Sequence, residues 1–154
     1  VACKNGSENT SLSRDEKQPG IHEVDLKDLS EQPINLEKYK GKTIFINFWA
    51  TWCKPCIAEM PSIEKAQNIL RDEQVVFLLA SSESAAEIEV FHNARDYKFN
   101  YVRIENSEEL GIQTLPTTFI FNPDGKLVFS EQGYRKWDEK NNIVMIRNIA
   151  NKHD

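Results

Sequence analysis

Residues 49–56 read WATWCKPC, with Cys53 and Cys56 two residues apart between an aromatic apolar run and a proline. The stretch just before it, TIFINFWA (residues 43–50), is rich in β-branched and aromatic residues and predicts a buried central strand. After it, Ile57, Met60, Ile63, Ala66 and Leu70 recur at three- and four-residue steps, the apolar stripe of a helix. Pro55 falls in the first turn of that helix, where a missing N–H costs nothing. Pro61 falls inside it, where a kink is expected. The cysteines therefore belong to a strand-to-helix junction. That place suits chemistry, because unpaired N–H groups and a partial positive charge at a helix N-terminus favour a thiolate. Lys54 adds an exposed positive charge. One turn on, Cys56 is placed to attack a mixed disulfide formed at Cys53.

Working outward, VVFLLA (residues 75–80) is a second continuous apolar strand. Ser84 and Glu87 form a capping box for a helix whose face carries Ala85, Ile88, Phe91 and Ala94. YVRI (residues 101–104) predicts a short strand, and SEELG (residues 107–111) a short helix closed by Gly111. TTFIF and KLVFS flank NPDG, which predicts an antiparallel hairpin over residues 117–130. Ile143, Ile146 and Ile149 mark a last helix over residues 138–150. Towards the N-terminus, IHEVDL (residues 21–26) alternates like a half-exposed strand, and INLEKYKGK is a loop or short turn. This order predicts an α/β sheet with helices on both faces. Residues 1–20 are polar, end in Pro-Gly and read as a flexible tether with a reach of roughly 20–25 Å. Residues 21–154 form the one domain.

Composition narrows the functions open to such a domain. The chain has 154 residues, and its net charge of −5 gives no reason to expect nucleic acid, whose binding requires a clustered basic surface. No apolar run approaches the ~20 residues that span a bilayer. There are three cysteines, too few for a disulfide framework, so Cys53 and Cys56 form one local pair and Cys3 is left over. A zinc site built on the pair would need two more ligands, and only Cys3, His22, His92 and His153 remain, scattered along the chain.

FWATWCKPC resembles the active site of thioredoxin-fold oxidoreductases, in the matching strand–turn–helix setting. Pro61 matches the proline that kinks the family's active-site helix, and LPTTF (residues 115–119) resembles the loop carrying its cis-proline, here Pro116. Asn47 stands where thioredoxins keep a buried aspartate, Glu59 matches a glutamate of the TlpA/ResA-like branch, and residues 81–105 look like that branch's extra helix and strand.

The resemblance implies a thioredoxin-like fold: a central mixed sheet flanked by helices, with a helix–strand insertion and a flexible N-terminal tail. It implies an extracytoplasmic thiol–disulfide oxidoreductase in which Cys53 attacks, Cys56 resolves and Glu59 takes the proton of Cys56. Partial burial would raise the pKa of Glu59 towards neutrality. A cis Pro116 would expose the backbone of Leu115 for strand addition by an extended substrate, with Trp52 on the docking surface. Trp49 is expected to pack in or near the core, whereas Tyr134 and Trp137 are left open between rim and packing.

No cofactor and no metal are expected. The expected partners are protein disulfides and an upstream thiol or membrane electron donor. VAC at the start resembles the end of a bacterial lipoprotein signal, which makes Cys3 a lipid-attachment candidate and the protein a periplasmic or membrane-anchored one. Lys54-Pro55 in place of the Pro-His of the strong oxidant DsbA implies a reductant. Two rivals stay open: a copper-carrying dithiol, because soft thiolates bind Cu(I), and a thiol peroxidase. The peroxiredoxins carry a threonine three residues before the reactive cysteine, where this chain has Ala50.

Overall fold

The computed structural model describes residues 18–152. Six strands form one mixed sheet: β1 (Leu26–Lys27), β2 (Thr43–Phe48), β3 (Val75–Ser81), β4 (Tyr101–Ile104), β5 (Thr117–Phe121) and β6 (Leu127–Gln132). Three helices accompany them: α1 (Lys54–Ile69), α2 (Ala85–Asn93) and α3 (Lys140–Asn151). The strand order is β1-β4-β3-β2-β5-β6. β2 runs parallel to β3 and antiparallel to β5, with Phe45 opposite both Phe77 and Ile120. Parallel neighbours need a crossover, and α1 supplies it between β2 and β3, as α2 does between β3 and β4.

All six residues of β2 are buried, as its unbroken apolar run requires of a strand covered on both faces. Alternation splits them. Phe45 and Trp49 join Phe77, Leu79 and Ile120 in a core completed by α1 (Met60, Ile63, Ala66), α2 (Ile88, Phe91) and α3 (Ile143, Ile146). Ile44, Ile46 and Phe48 face the other way and pack with Leu78, Val102 and Phe121.

The expectation of helices on both faces is corrected here. Apolar residues of all three helices enter the first cluster, and the second is covered by Val24, Leu36 and partly buried Ile21, Tyr39 and Ile112 from turns and loops. Short 3-10 turns at Ile21–Glu23 and Leu36–Tyr39 cover that face.

Two local expectations change as well. Of residues 21–26, read as a strand, only Leu26 joins the sheet, paired in β1 together with Lys27. Before it the backbone closes a 3-10 turn, Glu23 N donating to Gly20 O at 3.0 Å and Val24 N to Ile21 O at 3.1 Å, and the Glu23 carboxylate caps it by accepting from Gly20 N at 2.9 Å. Residues 107–111 make a single turn. Ile112 N donates to Ser107 O and Gly111 N to Glu108 O, each at 3.0 Å, with Gly111 at φ 75°. That is the Schellman closure expected of Gly111, set so soon that no helix precedes it. The capping box at Ser84, the hairpin and the last helix stand as read.

Candidate active site

β2 delivers the chain to its carboxyl end, where Trp49 N donates to Ala80 O at 3.0 Å and Cys53 N closes a turn on Ala50 O at 3.1 Å. Cys53 then caps α1 in an extended conformation (φ −92°, ψ 102°), its Sγ accepting from Cys56 N at 3.3 Å. Cys53 and Cys56 are joined as a disulfide, with Cα atoms 5.3 Å apart. Cys56 is fully buried and Cys53 is 4% exposed. Beside it Trp52 is 72% exposed.

Glu59 lies one turn along α1 and is completely buried. A buried carboxylate must be hydrogen-bonded, and three donors reach this one. Asn47 Nδ2 donates to Oε1 at 2.9 Å; Arg135 N and Trp137 Nε1 donate to Oε2 at 2.9 and 3.1 Å. Burial nevertheless outweighs those bonds and pushes its pKa from 4.5 up to about 7. Asn47 Nδ2 also donates to Thr118 Oγ1 at 3.1 Å, which ties the carboxylate to β5. Ser62 Oγ donates to Glu59 O at 2.8 Å and accepts from Trp137 N at 3.0 Å, so residues 135–137 strap α1 at two points.

The Leu115–Pro116 peptide is cis. Pro116 is buried, and its carbonyl accepts from Gly133 N at 2.7 Å. Leu115 and Trp52 line one groove of about 230 Å³ together with Phe48, Ile112 and Gln113. Trp49 is buried against Phe91 and Tyr101, as expected of a core residue. Of the aromatics left open, Trp137 is fully buried and Tyr134 is half-exposed. His92 is partly buried against the Tyr101 ring at 5.0 Å. Cys3, His153 and most of the tether lie outside the described residues.

Glu59 is signalled in the sequence, but the groups that hold it are not. Asn47 was legible in principle: it occupies an inward position of a strand with every residue buried, and a buried amide needs polar partners. Trp137, 78 residues away from Glu59, carried no local signal.

A cysteine pair at the head of α1, a buried carboxyl one turn on and a cis-proline before β5 together define a thioredoxin-like protein. The family model described as Redoxin matches residues 10–145, and the chain belongs to that family. The thiol-disulfide oxidoreductase ResA of Bacillus thuringiensis subsp. konkukian is 35% identical over 111 residues, 69% of this chain and 64% of that protein. The chain thus spans about 64% of the length of this curated relative. The thioredoxin-like protein YneN of Bacillus subtilis is 32% identical over 120 residues, 71% of each chain. Among solved structures, the pneumococcal exposed lipoprotein thioredoxin of Streptococcus pneumoniae superposes with a TM-score of 0.64 at 27% identity, covering 80% of this chain and 96% of that one. A thiol:disulfide interchange protein of Chlorobium tepidum gives a TM-score of 0.66 at 20% identity over 86% and 97%, which shows the fold alone.

Proposed function

We propose that this protein is a thiol–disulfide oxidoreductase that reduces disulfides of protein substrates outside the cytoplasm. The observation that carries the reading is the Cys53–Cys56 pair at the head of α1 with Glu59 buried one turn behind it. The ResA relatives, named for this activity, support it.

The steps follow from the positions of the groups. In the reduced protein the Cys53 thiolate, stabilised by the Cys56 N–H and the helix N-terminus, attacks one sulfur of the substrate disulfide. That S–S bond breaks, a mixed disulfide forms, and the departing substrate thiolate takes a proton from solvent. Cys56 then transfers its proton to Glu59 and attacks Cys53 Sγ. The second substrate sulfur leaves as a thiolate, and two electrons have passed to the substrate. An ionised carboxylate offers about four acceptor sites, and Asn47, Arg135 and Trp137 fill three. The fourth receives the thiol proton. Burial of Cys56 keeps competing thiols from it, while Trp52, next to Cys53 in the chain, shares a groove with Leu115.

Regeneration requires an upstream thiol or a membrane electron donor. The similar pneumococcal protein is an exposed lipoprotein thioredoxin, and this likeness supports an extracytoplasmic site for the chain and Cys3 as its lipid anchor. The mass of Cys3 in membrane-fraction protein measures this directly, and an unmodified thiol there would end the anchoring proposal.

Lys54-Pro55 sets the direction towards reduction, with a potential nearer thioredoxin's about −270 mV than DsbA's about −120 mV. Turnover in an insulin-reduction assay and a potential in the thioredoxin range are expected. A value close to DsbA's, which lies about 7 kcal/mol away for two electrons, would reverse the direction.

A further inference from the structure

The turn that presents Cys53 is held from outside by one acidic side chain that the exchange chemistry does not use. Glu83 follows β3 and immediately precedes Ser84, the cap of α2. A residue placed just before a helix cap would ordinarily leave its carboxylate in water. Here both oxygens are engaged across the sheet edge. Oε1 accepts from Thr51 N at 2.8 Å and from Ser81 Oγ at 2.8 Å, and Oε2 accepts from Thr51 Oγ1 at 2.6 Å. Ser81 Oγ in turn accepts from Glu83 N at 3.1 Å, so the side chain is braced by its own strand end. The backbone of Glu83 is fixed as well, its carbonyl accepting from Arg103 Nε of β4 at 2.9 Å. Arg103 is held by Glu105 and Glu31, each at 2.8 Å.

We infer that Glu83 is a positioning residue for Cys53, gripping Thr51 so that the turn keeps Cys53 Sγ against the Cys56 N–H at the head of α1. The inference rests on the proposed exchange reaction and deepens it. Charge-assisted bonds to both the amide and the hydroxyl of one residue fix a turn in a way that a single bond does not. Thr51 stands two residues before Cys53, so freedom gained there moves the sulfur away from the donor that favours its ionised form. Through Glu83 and Arg103, β4 is linked to the turn that carries Cys53.

The test compares reduced parent protein with Thr51→Val, Thr51→Ser and Glu83→Ala by the rate at which iodoacetamide alkylates Cys53 at neutral pH, located by mass spectrometry. Valine matches threonine in shape but lacks the hydroxyl, and serine restores it. Thr51→Val and Glu83→Ala are expected to react several-fold more slowly, with Thr51→Ser returning to the parent rate. Equal or faster rates in Thr51→Val, or a Thr51→Ser protein as slow as Thr51→Val, would overturn the inference. Thermal unfolding of each variant shows whether it is folded, and if Glu83→Ala is not, the two Thr51 variants decide. Alkylation needs no disulfide substrate. A parent protein that failed to reduce insulin would therefore end the exchange reading, while this comparison would still judge Glu83.

Discussion

Glu59 is where two opposing forces meet in one side chain. Removal from water favours the protonated carboxyl, three hydrogen-bond donors favour the carboxylate, and burial is the larger. The outcome, about 7, is the value that lets one group accept a proton from a thiol and release it again near neutrality. Exchange should therefore speed up as pH rises through about 7, as Glu59 becomes able to take the proton of Cys56. Glu59→Gln keeps size and loses the basic oxygen. It should slow the resolving step by on the order of 10²-fold at neutral pH and flatten that limb of the profile. Stopped-flow reduction of a model disulfide across the pH range measures it. A profile unchanged by the substitution would remove Glu59 from the mechanism.

At the scale of elements, the same carboxyl joins α1 to β2 through Asn47 and to residues 135–137 through Arg135 and Trp137. Its titration is therefore coupled to the stability of the oxidised protein as well as to rate. In the unfolded chain the group ionises near its ordinary 4.5, whereas in the folded protein it holds its proton to about 7. Stability from this group is fully present below about pH 4.5 and is lost as pH rises through about 7, by on the order of 3 kcal/mol. Urea unfolding at about pH 5 and pH 8 should show this decline in the parent and not in Glu59→Gln, which carries no titrating group there. An equal decline in both would place its source elsewhere. α1 also shows how a helix tolerates an interior proline. Pro61 offers no N–H, and next to it Ser62 bonds the Glu59 carbonyl and anchors Trp137 N, so the disturbed turn becomes an attachment point.

For the whole molecule, what could be read in advance was what local patterning controls. The strand before Cys53, the stripe of α1, the capping box at Ser84 and the NPDG hairpin are written in residues a few positions apart, and all are found. The corrections lie where partners distant in sequence decide. Alternation in IHEVDL resembled a strand, yet a 3-10 turn capped by the Glu23 carboxylate forms there and leaves only Leu26 of the stretch to pair with β4. Helices were expected on both faces because strands alternated with helices, but the chain covers the second face with short turns carrying Leu36 and Tyr39. At the site, the cysteines and Glu59 were legible because a motif holds them within seven residues. Trp137, Arg135 and Glu83 were not, because each reaches the centre only after the sheet has folded.

All of this turns on Cys53 being the sulfur that meets the substrate while Cys56 waits behind it. The direct measurement mixes reduced Cys56→Ser protein with a disulfide-bonded substrate protein and maps any covalent adduct by mass spectrometry. A stable mixed disulfide through Cys53, absent in Cys53→Ser, is predicted. No adduct, or one that persists when Cys53 is replaced, would contradict it.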